Sequence, residues 1–340
     1  MGQTPCVKDI CLISLPSPFL MDEKVFPPLG LAYIGSELEL YGYDVKIHDE
    51  GIDTIPDNFE HYGIGATTPQ FPMAVEVLKK LKAQGKKVYI GGAHATVDPQ
   101  SCLDAGFNGV IMGDGEVGLR LAMEHKCQLI STPAERDVSP NRGLIDLRKY
   151  KYSINGEEAT SLMTSRGCPF HCGFCCKTRK GVHLFSATHV INEIRVLVEI
   201  YGYKALMFFD DIFILNRIRL DSILNAIMKL NIKFRCFTRA DLLLKLGKDM
   251  VKKMADAGCV EFGMGVESGS EKILKVINKG ETLNTIQRGI ALARECGIRV
   301  KGFLIVGLPS ESNISLRQTE EFLKEGLLSD VDFTVFTPYK

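Results

Sequence analysis

Short apolar runs alternate with segments of helical periodicity along most of the chain. Asp9 to Leu15 reads DICLISL, which suits a buried parallel strand. Leu29 to Tyr41 then carries apolar residues at helical spacing and stops at Gly42, which can adopt the left-handed conformation of a helix C-cap. The order helix, glycine, strand recurs at Gly85, Gly202, Gly258 and Gly297. This alternation predicts an α/β fold, with parallel strands wrapped by helices.

The apolar runs fall into two sets. Five predicted strands occupy the first part, near Ile10, Val45, Ile64, Val88 and Val110. They suit a flavodoxin-like (Rossmann-type) five-stranded parallel sheet that binds its ligand across the C-terminal strand edge. Six further strands are predicted near Leu162, Leu206, Phe234, Phe262, Phe303 and Phe333. Because the periodicity fails from Ser131 to Gly156, we expect a first domain at 1–130, a linker at 131–160 and a second domain at 161–340.

Composition excludes several classes of function. Lys and Arg together number 41, as do Asp and Glu, so no overall basic footprint for nucleic acid is present. No apolar run approaches the roughly 18 residues that span a bilayer, so we expect a soluble protein without a membrane partner. Eleven cysteines without a secretory leader indicate a reducing, cytoplasmic compartment.

The segment TSRGCPFHCGFCCK, residues 164–177, contains the highest local concentration of potential metal ligands. Cys168, Cys172 and Cys175 are separated by four and three positions, with glycine and proline between them, so three thiols can converge from one loop. The loop follows an apolar run and precedes a helical segment. This order places it at the C-terminal end of a strand, where α/β folds keep their chemistry.

Three kinds of site compete for these cysteines. Structural zinc wants four ligands, and the close candidates for a fourth are only Cys176 and His171. A disulfide framework is disfavoured because the cysteines are scattered through apparent core and no signal peptide is recognisable. An iron-sulfur cluster held by three thiolates fits best, and its open iron implies a bound small molecule.

The segment TSRGCPFHCGFC resembles the CxxxCxxC signature of the radical S-adenosylmethionine (SAM) superfamily, in the branch with an N-terminal cobalamin-binding domain. The resemblance implies that Cys168, Cys172 and Cys175 hold a [4Fe-4S] cluster whose free iron chelates the amino and carboxylate groups of SAM. It implies that Phe174 lies beside the adenine, and it gives Cys176 no role. It also implies that the six later strands form the partial (β/α)6 TIM-like barrel of the superfamily.

Polar residues at the ends of later strands extend the resemblance. Asp210 and Asp211 could cap the next helix, but the resemblance implies that they contact SAM or lie near the substrate. An arginine at position 239 could pair with a carboxylate or with the ribose edge of the nucleoside. The resemblance implies further SAM contacts, which fall on Glu267, Gly307, Leu308 and Pro309.

The loops at the predicted C-terminal edge of the first sheet resemble those of the branch's cobalamin domain, in which the corrin lies over that edge. The implied cobalamin contacts are Leu29, Gly30, Thr67, Thr68, Gly91, Gly92, His94, Gly113 and Glu116. Because the sequence has no Asp-x-His-x-x-Gly motif, we expect cobalamin without a protein histidine ligand. The nearest rival, His94, belongs to a Gly-Gly turn and suits a polar contact better. Residues 113–118 also satisfy GxGxxG, but they follow the last strand of their sheet, which argues against a nicotinamide enzyme.

Together these residues predict a radical SAM enzyme that uses a 5'-deoxyadenosyl radical to abstract hydrogen from an unactivated carbon. If methylcobalamin faces the same space, the product is a C-methylated small molecule or biosynthetic intermediate, and a second SAM recharges the cobalt. The cluster requires an external one-electron reductant. The alternatives are a cobalamin-independent or non-methylating radical enzyme (cyclisation, rearrangement, oxidation) and a non-catalytic cluster- or corrin-binding module.

Two further expectations concern partners. A tRNA methylthiotransferase is disfavoured, because the charge is balanced and no C-terminal domain is recognisable that could grip RNA. The sequence stops at Lys340, soon after the sixth predicted barrel strand. We therefore expect that a partner chain or a large substrate closes the barrel mouth, or that the chain is a fragment or a degenerate copy.

Overall fold

Two parallel sheets organise the chain, one in each of two structural units. The computed structural model describes residues 9–18, 20, 22–133, 136–179 and 181–338. The first unit runs to residue 151 and includes residues 178 and 179, whereas the second takes 152–177 and the chain from 181 onward. Within the described ranges, no helix combines the length and apolar content needed to cross a membrane.

The first unit is a flavodoxin-like α/β layer. Its strands are β1 (Asp9–Ser14), β2 (Asp44–His48), β3 (His61–Gly65), β4 (Lys87–Gly91), β5 (Gly109–Met112) and β6 (Leu129–Ser131). Its helices are α1 (Leu29–Leu40), α2 (Phe71–Ala83), α3 (Ala93–Val97), α4 (Pro99–Ala105) and α5 (Gly115–His125). All neighbouring strands are parallel, in the order β2-β1-β3-β4-β5-β6. The order reverses between β1 and β3, which is where doubly wound sheets bind ligands.

The apolar sequence of β1 reflects burial on both faces. Ile10 and Leu12 belong to one apolar cluster of the first unit, and Cys11 and Ile13 belong to another. Successive side chains of a strand point to opposite faces, so β1 needs apolar residues at every position rather than at alternate ones. The predicted fold class is confirmed, and the sheet gains a sixth strand. β6 escaped the sequence pattern because it has three residues, of which only Ile130 is buried.

The second unit is an open barrel. Its strands are β7 (Tyr152–Ile154), β8 (Glu157–Leu162), β9 (Ser165–Arg166), β10 (His183–Leu184), β11 (Ala205–Phe208), β12 (Lys233–Thr238), β13 (Cys259–Glu267), β14 (Arg299–Val306) and β15 (Asp330–Val335). Its helices are α6 (Ala187–Arg195, continued by a π-helical turn at Val196–Ile200), α7 (Arg217–Leu230), α8 (Ala240–Leu246), α9 (Lys248–Asp256), α10 (Glu271–Val276), α11 (Leu283–Glu295) and α12 (Asn313–Lys324).

Six parallel strands, β8 and β11 to β15, form the curved sheet, as the sequence predicts. β7 adds an antiparallel strand beside β8, while β9 and β10 form a separate antiparallel pair. The segment predicted as a linker, 131–160, contains two 3-10 turns (Arg142–Leu144 and Leu147–Lys149), β7 and the start of β8. Ile145 and Tyr150 from this segment are buried in the apolar core of the first unit.

Gly258 and Gly297 each follow a helix and hold a positive φ, at 103° and 83°. A Cβ at Gly258 would lie 2.1 Å from the carbonyl oxygen of Ile232, whereas a Cβ at Gly297 would meet nothing within 4 Å. We expect Gly297→Ala to lower the free energy of unfolding by about 1–3 kcal/mol, the cost of a left-handed alanine. Gly258→Ala should cost about 1–3 kcal/mol more, because the backbone must also move. Urea unfolding of both variants measures the difference, and equal midpoints would contradict this account.

Candidate cluster and cofactor sites

The cysteine loop is closed at its base by two short strands. Ser165 of β9 pairs with Leu184 of β10, and Arg166 pairs with His183. The N–H of Phe185 donates to the carbonyl of Thr164 at 3.0 Å. The chain therefore leaves β8, forms the loop and returns to within one strand spacing of its starting point.

A buried carboxylate braces the first residues of this loop. Asp210 is 1% exposed and accepts hydrogen bonds from the backbone N–H of Thr164 (2.6 Å), from the Thr164 hydroxyl (2.5 Å) and from the Ser165 hydroxyl (2.6 Å). The guanidinium of Arg219 donates to the carbonyls of Phe185 and Thr164. Burial raises the pKa of Asp210, although these donors and the charge of Arg219 oppose the shift. Asp210 thus braces the loop beside the strand end where sequence analysis expected a SAM or substrate contact.

Its neighbour Asp211 has a different environment. Asp211 is exposed, and its charge is close enough to Cys175 to contribute to the raised pKa of that thiol. The two adjacent carboxylates therefore differ in role. Asp210 is buried and holds the loop, whereas Asp211 is exposed and acts on Cys175 through its charge.

The three cysteines of the motif interact electrostatically. Loss of hydration, and then repulsion by Cys168 and Cys172, raise the pKa of Cys175. A thiolate at Cys175 is therefore disfavoured until its charge is compensated, and a cationic inorganic group held by the three sulfurs would supply that compensation. Across the described residues, no three His, Cys, Asp or Glu side chains converge as ligands of a single ion. A four-iron cluster is larger than one ion and takes its thiolates at separate corners, so this donor set fits the cluster.

The second half of the loop is attached to the segment 277–281. The N–H of Gly173 donates to the carbonyl of Ile277 at 2.7 Å, and the side-chain amide of Asn278 donates to the carbonyl of His171 at 2.8 Å. The thiol of Cys172 lies 3.9 Å from the carbonyl of Lys279. The sequence did not predict a role for this segment. Its one signal was the Asn-Lys-Gly turn at 278–280, in which Asn278 and Gly280 have positive φ.

The same segment completes a network of buried charges. Arg239, Glu267, Lys279 and Glu281 are each at most 7% exposed. Arg239 pairs with Asp241 at 3.0 Å and with Glu281 at 3.3 Å, while Lys279 pairs with Glu267 at 2.9 Å and with Glu281 at 3.5 Å. Burial raises the pKa of the Glu281 carboxyl. Arg239 and Glu267 were predicted as separate strand-end contacts, and the structure joins them through Lys279 and Glu281.

An irregularity in β13 directs Glu267 into this network. The pairing of β13 with β14 shifts register between Gly265 and Glu267, and Glu267 has a φ of 65°. Bulges of this kind redirect a side chain next to functional sites. A Cβ at Gly265 would lie 2.2 Å from the Glu267 carboxylate and 2.9 Å from the Lys279 amine. Glycine is therefore required at 265 for the ion pair to occupy its place.

Three phenylalanines form an aromatic row on one face of the curved sheet. The ring centroids of Phe209 and Phe237 are 6.2 Å apart, and those of Phe237 and Phe303 are 5.8 Å apart. None of the three is fully buried. Gly263 lies beneath the row, since a Cβ there would approach the rings of Phe237 and Phe303 to 2.5 and 2.9 Å. Arg239 directly follows β12 with an extended backbone (φ −115°, ψ 149°), two positions after Phe237, so the two side chains project to the same side of the chain.

The remaining predicted SAM contacts lie in turns. Phe174 is half-buried within the cysteine loop. Gly307 follows β14 with a φ of 83°, and its N–H donates to the carboxylate of Glu311 at 2.6 Å. Leu308 is buried and Pro309 is exposed. The described contacts do not join these four residues to the buried charge network.

In the first unit, three adjacent strands end at a glycine or directly before one, at the C-terminal edge of the sheet. Gly65 ends β3 in register with Gly91 at the end of β4, and Gly113 directly follows β5. A Cβ at Gly92 would lie 2.9 Å from the carbonyl oxygen of Ala66. The resulting edge of bare backbone suits a broad, flat ring system such as a corrin. Gly91, Gly92 and Gly113 are among the contacts predicted from the sequence, whereas Gly65 is not.

The other predicted cobalamin contacts flank this edge. Leu29 and Gly30 begin α1, and a Cβ at Gly30 would meet nothing within 4 Å. Thr67 caps the 3-10 turn that Thr68 begins, and Glu116 is buried in the first turn of α5. In the GxGxxG segment the N–H of Gly113 is not available to an anion, because it donates to the Thr96 hydroxyl at 2.9 Å.

His94 is buried with both ring nitrogens engaged. Nδ1 lies 3.2 Å from the Thr68 hydroxyl, Nε2 lies 3.0 Å from the Ser101 hydroxyl, and the ring stacks on Phe71 at 3.9 Å. Burial lowers the pKa of His94 against the opposing charge of Asp98, which favours the neutral ring. Both ring nitrogens of His94 are therefore directed at hydroxyl groups of the protein, and neither is directed at a metal ion.

Comparison with known proteins identifies the family. The family model described as Radical SAM superfamily matches residues 162–323, and the one described as B12 binding domain matches residues 22–122. An uncharacterized methyltransferase of Pyrococcus horikoshii is 30% identical over 92% of this chain and 76% of its own length. The chain belongs to the radical SAM superfamily. These matches confirm the predicted family, its enzyme class and its cofactors, namely a [4Fe-4S] cluster, SAM and cobalamin.

A second curated protein and a solved structure also resemble this chain. The anaerobic magnesium-protoporphyrin IX monomethyl ester cyclase of Rubrivivax gelatinosus is 23% identical over 92% of this chain and 65% of its own length. The methyltransferase TsrM of Kitasatospora setae, solved with cobalamin and a [4Fe-4S] cluster, superimposes with a TM-score of 0.73 at 16% identity. That match covers 97% of this chain and 72% of TsrM, and it supports the fold.

Asp210 and Asp211 provide a matched pair of substitutions. In Asp210→Asn the amide NH2 would face the Thr164 and Ser165 donors, leaving buried groups unpaired, so we expect the free energy of unfolding to fall by about 2–4 kcal/mol. Asp211→Asn alters an exposed group and should change it by no more than about 0.5 kcal/mol. Urea unfolding of the cluster-free protein measures both, and equal stability of the two variants would show that Asp210 does not brace the loop.

Proposed function

We propose that this radical SAM enzyme is a cobalamin-dependent methyltransferase that acts on an unactivated carbon of a small molecule or biosynthetic intermediate. The observation that carries the proposal is the presence, in one chain, of a B12 binding domain and a braced three-cysteine loop. The P. horikoshii relative, named as a methyltransferase, supports it. We assign cobalamin to residues 1–130 and the cluster to residues 161–340, with 131–160 between them.

The residues of the second unit would prepare the site for its cofactors. Cys168, Cys172 and Cys175 would bind three irons and leave the fourth for SAM. When bound, the cluster supplies the electron that cleaves SAM, cobalamin supplies the methyl group, and an external reductant renews the electron. Asp210 holds the start of the loop in place, and the segment 277–281 holds its second half.

Other side chains would bind SAM and exclude water. We assign SAM contacts to Phe174, Glu267 and the turn Gly307–Pro309, and we place Asp211 near the reacting groups because its charge acts on Cys175. The aromatic row offers apolar surface on the side of the chain to which Arg239 also projects. Apolar walls exclude water, which protects a carbon radical from side reactions.

A second candidate function is supported by a specific relative. The Rubrivivax gelatinosus protein, which aligns with 92% of this chain, is named as a cyclase. A ring-forming radical enzyme would use the same three cysteines and would yield 5'-deoxyadenosine without transferring a methyl group. The two candidates therefore differ in the fate of the SAM methyl group.

SAM labelled in its methyl group separates these functions without a known substrate. In protein reconstituted anaerobically with cluster and cobalamin and reduced with titanium(III) citrate, we expect 5'-deoxyadenosine and transfer of label to the corrin. Cys172→Ala should reduce 5'-deoxyadenosine to background, because the reductive cleavage of SAM needs the cluster. Cys176→Ala is the matched control and should retain both products.

The outcomes of this labelling experiment are distinct. Formation of 5'-deoxyadenosine without label in the corrin would favour the cyclase-type function. Absence of both products from cluster-loaded protein would favour a non-catalytic binding module.

The His94 contacts predict how cobalamin is held. In cobalamin-loaded wild-type protein reduced to the cob(II)alamin state, the paramagnetic resonance spectrum should show no splitting from a protein nitrogen. His94→Gln should leave that spectrum unchanged and lower the free energy of unfolding by about 1–2 kcal/mol through lost hydrogen bonds. Nitrogen splitting that is present in the wild type and absent from the variant would instead make His94 an axial ligand.

A further inference from the structure

Arg239 is held against the sulfur of a cluster ligand. Its Nη1 lies 3.7 Å from the Sγ of Cys172, and its guanidinium carbon lies 3.7 Å from the ring centroid of Phe170. The residue is 5% exposed. A cation at this position acts through a medium with little water, so its field at the sulfur is screened far less than at a protein surface.

The other nitrogens of Arg239 are committed within the protein. Nε donates to Asp241 at 3.0 Å, and Nη2 donates to Asp241 at 3.2 Å and to the carbonyl of Lys279 at 3.0 Å. The carboxylate of Glu281 lies 3.3 Å from Nη2. Arg239 is thus paired with carboxylates of the protein, and Nη1 is the nitrogen that faces the cysteine loop.

We propose that Arg239 is a positioning residue that sets the reduction potential of the cluster through Cys172. Hydrogen bonds to cluster sulfurs and the local charge are two of the quantities that determine the potential of an iron-sulfur centre. Reduction adds a negative charge to the cluster. A buried guanidinium that donates to Cys172 stabilises the reduced form and makes the potential less negative. Asp241, which pairs with Arg239, opposes this effect.

The inference rests on the cluster and not on methyl transfer. It requires only that Cys172 is a cluster ligand and that Arg239 keeps its place beside it. Because the potential can be measured without substrate or cobalamin, loss of the proposed methyltransferase activity would leave the inference standing.

The chain contains a matched comparison nearby. Arg235 lies in β12, which ends one residue before Arg239, and it also pairs with a carboxylate, that of Glu261. It donates to the hydroxyl of Tyr152 at 2.6 Å. The contacts described for Arg235 do not include the cysteine loop, so it controls for the loss of a half-buried arginine at a distance from the sulfurs.

The test is a potentiometric titration of the reconstituted [4Fe-4S] protein, followed by its paramagnetic resonance signal. Arg239→Gln should make reduction at least tenfold less favourable, which for one electron is a shift of about 59 mV to more negative potential. Arg239→Lys keeps the positive charge but lacks the planar guanidinium, so it should shift the potential less than Arg239→Gln does. Asp241→Asn should shift it in the opposite direction, because a negative charge is removed while Arg239 remains.

Shifts of the reduction potential in opposite directions for Arg239→Gln and Asp241→Asn would support the proposal. If the two substitutions only loosened the loop, the direction of the shift would not depend on the sign of the charge removed. An unchanged potential in iron-loaded Arg239→Gln would overturn it, as would an equal shift in Arg235→Gln. Should Arg239→Gln fail to hold iron, Asp241→Asn decides the question. A less negative potential in that variant supports the proposal, and an unchanged or more negative one overturns it.

Discussion

The cysteine loop depends on buried polar contacts. A loop rich in glycine, proline and cysteine has little apolar surface with which to form a core of its own. Asp210 holds its first residues with three short hydrogen bonds, and the backbone of 277–281 holds its second half. Buried ions are costly unless they are paired and hydrogen-bonded, so each of these groups needs its partner. These contacts therefore fix the position of the loop on the sheet.

Strand order explains why these partners come from distant parts of the sequence. Thr164 follows β8, Asp210 follows β11, Arg239 follows β12, and Glu267 ends β13. These four strands are neighbours in one parallel sheet, so their C-terminal ends meet at a common edge. Residues spread over about a hundred positions thus become neighbours without long excursions of the chain.

The sequence was most informative where its patterns are periodic or closely spaced. Apolar runs located the six parallel barrel strands, and the spacing of Cys168, Cys172 and Cys175 indicated the cluster. Lys279 and Glu281 could not be found in this way, because a charged turn after a short helix resembles ordinary surface until burial is known. The different environments of Asp210 and Asp211 could not be predicted for a similar reason, because nothing in the sequence distinguishes two adjacent carboxylates.

Gly263 has a consequence for how this barrel can diversify. The two rings above it already occupy the volume that any side chain at 263 would need. A larger residue there can be accommodated only if Phe237 or Phe303 becomes smaller at the same time. Residues 237, 263 and 303 should therefore change together in proteins related to this one, because a single replacement at 263 would clash with the rings.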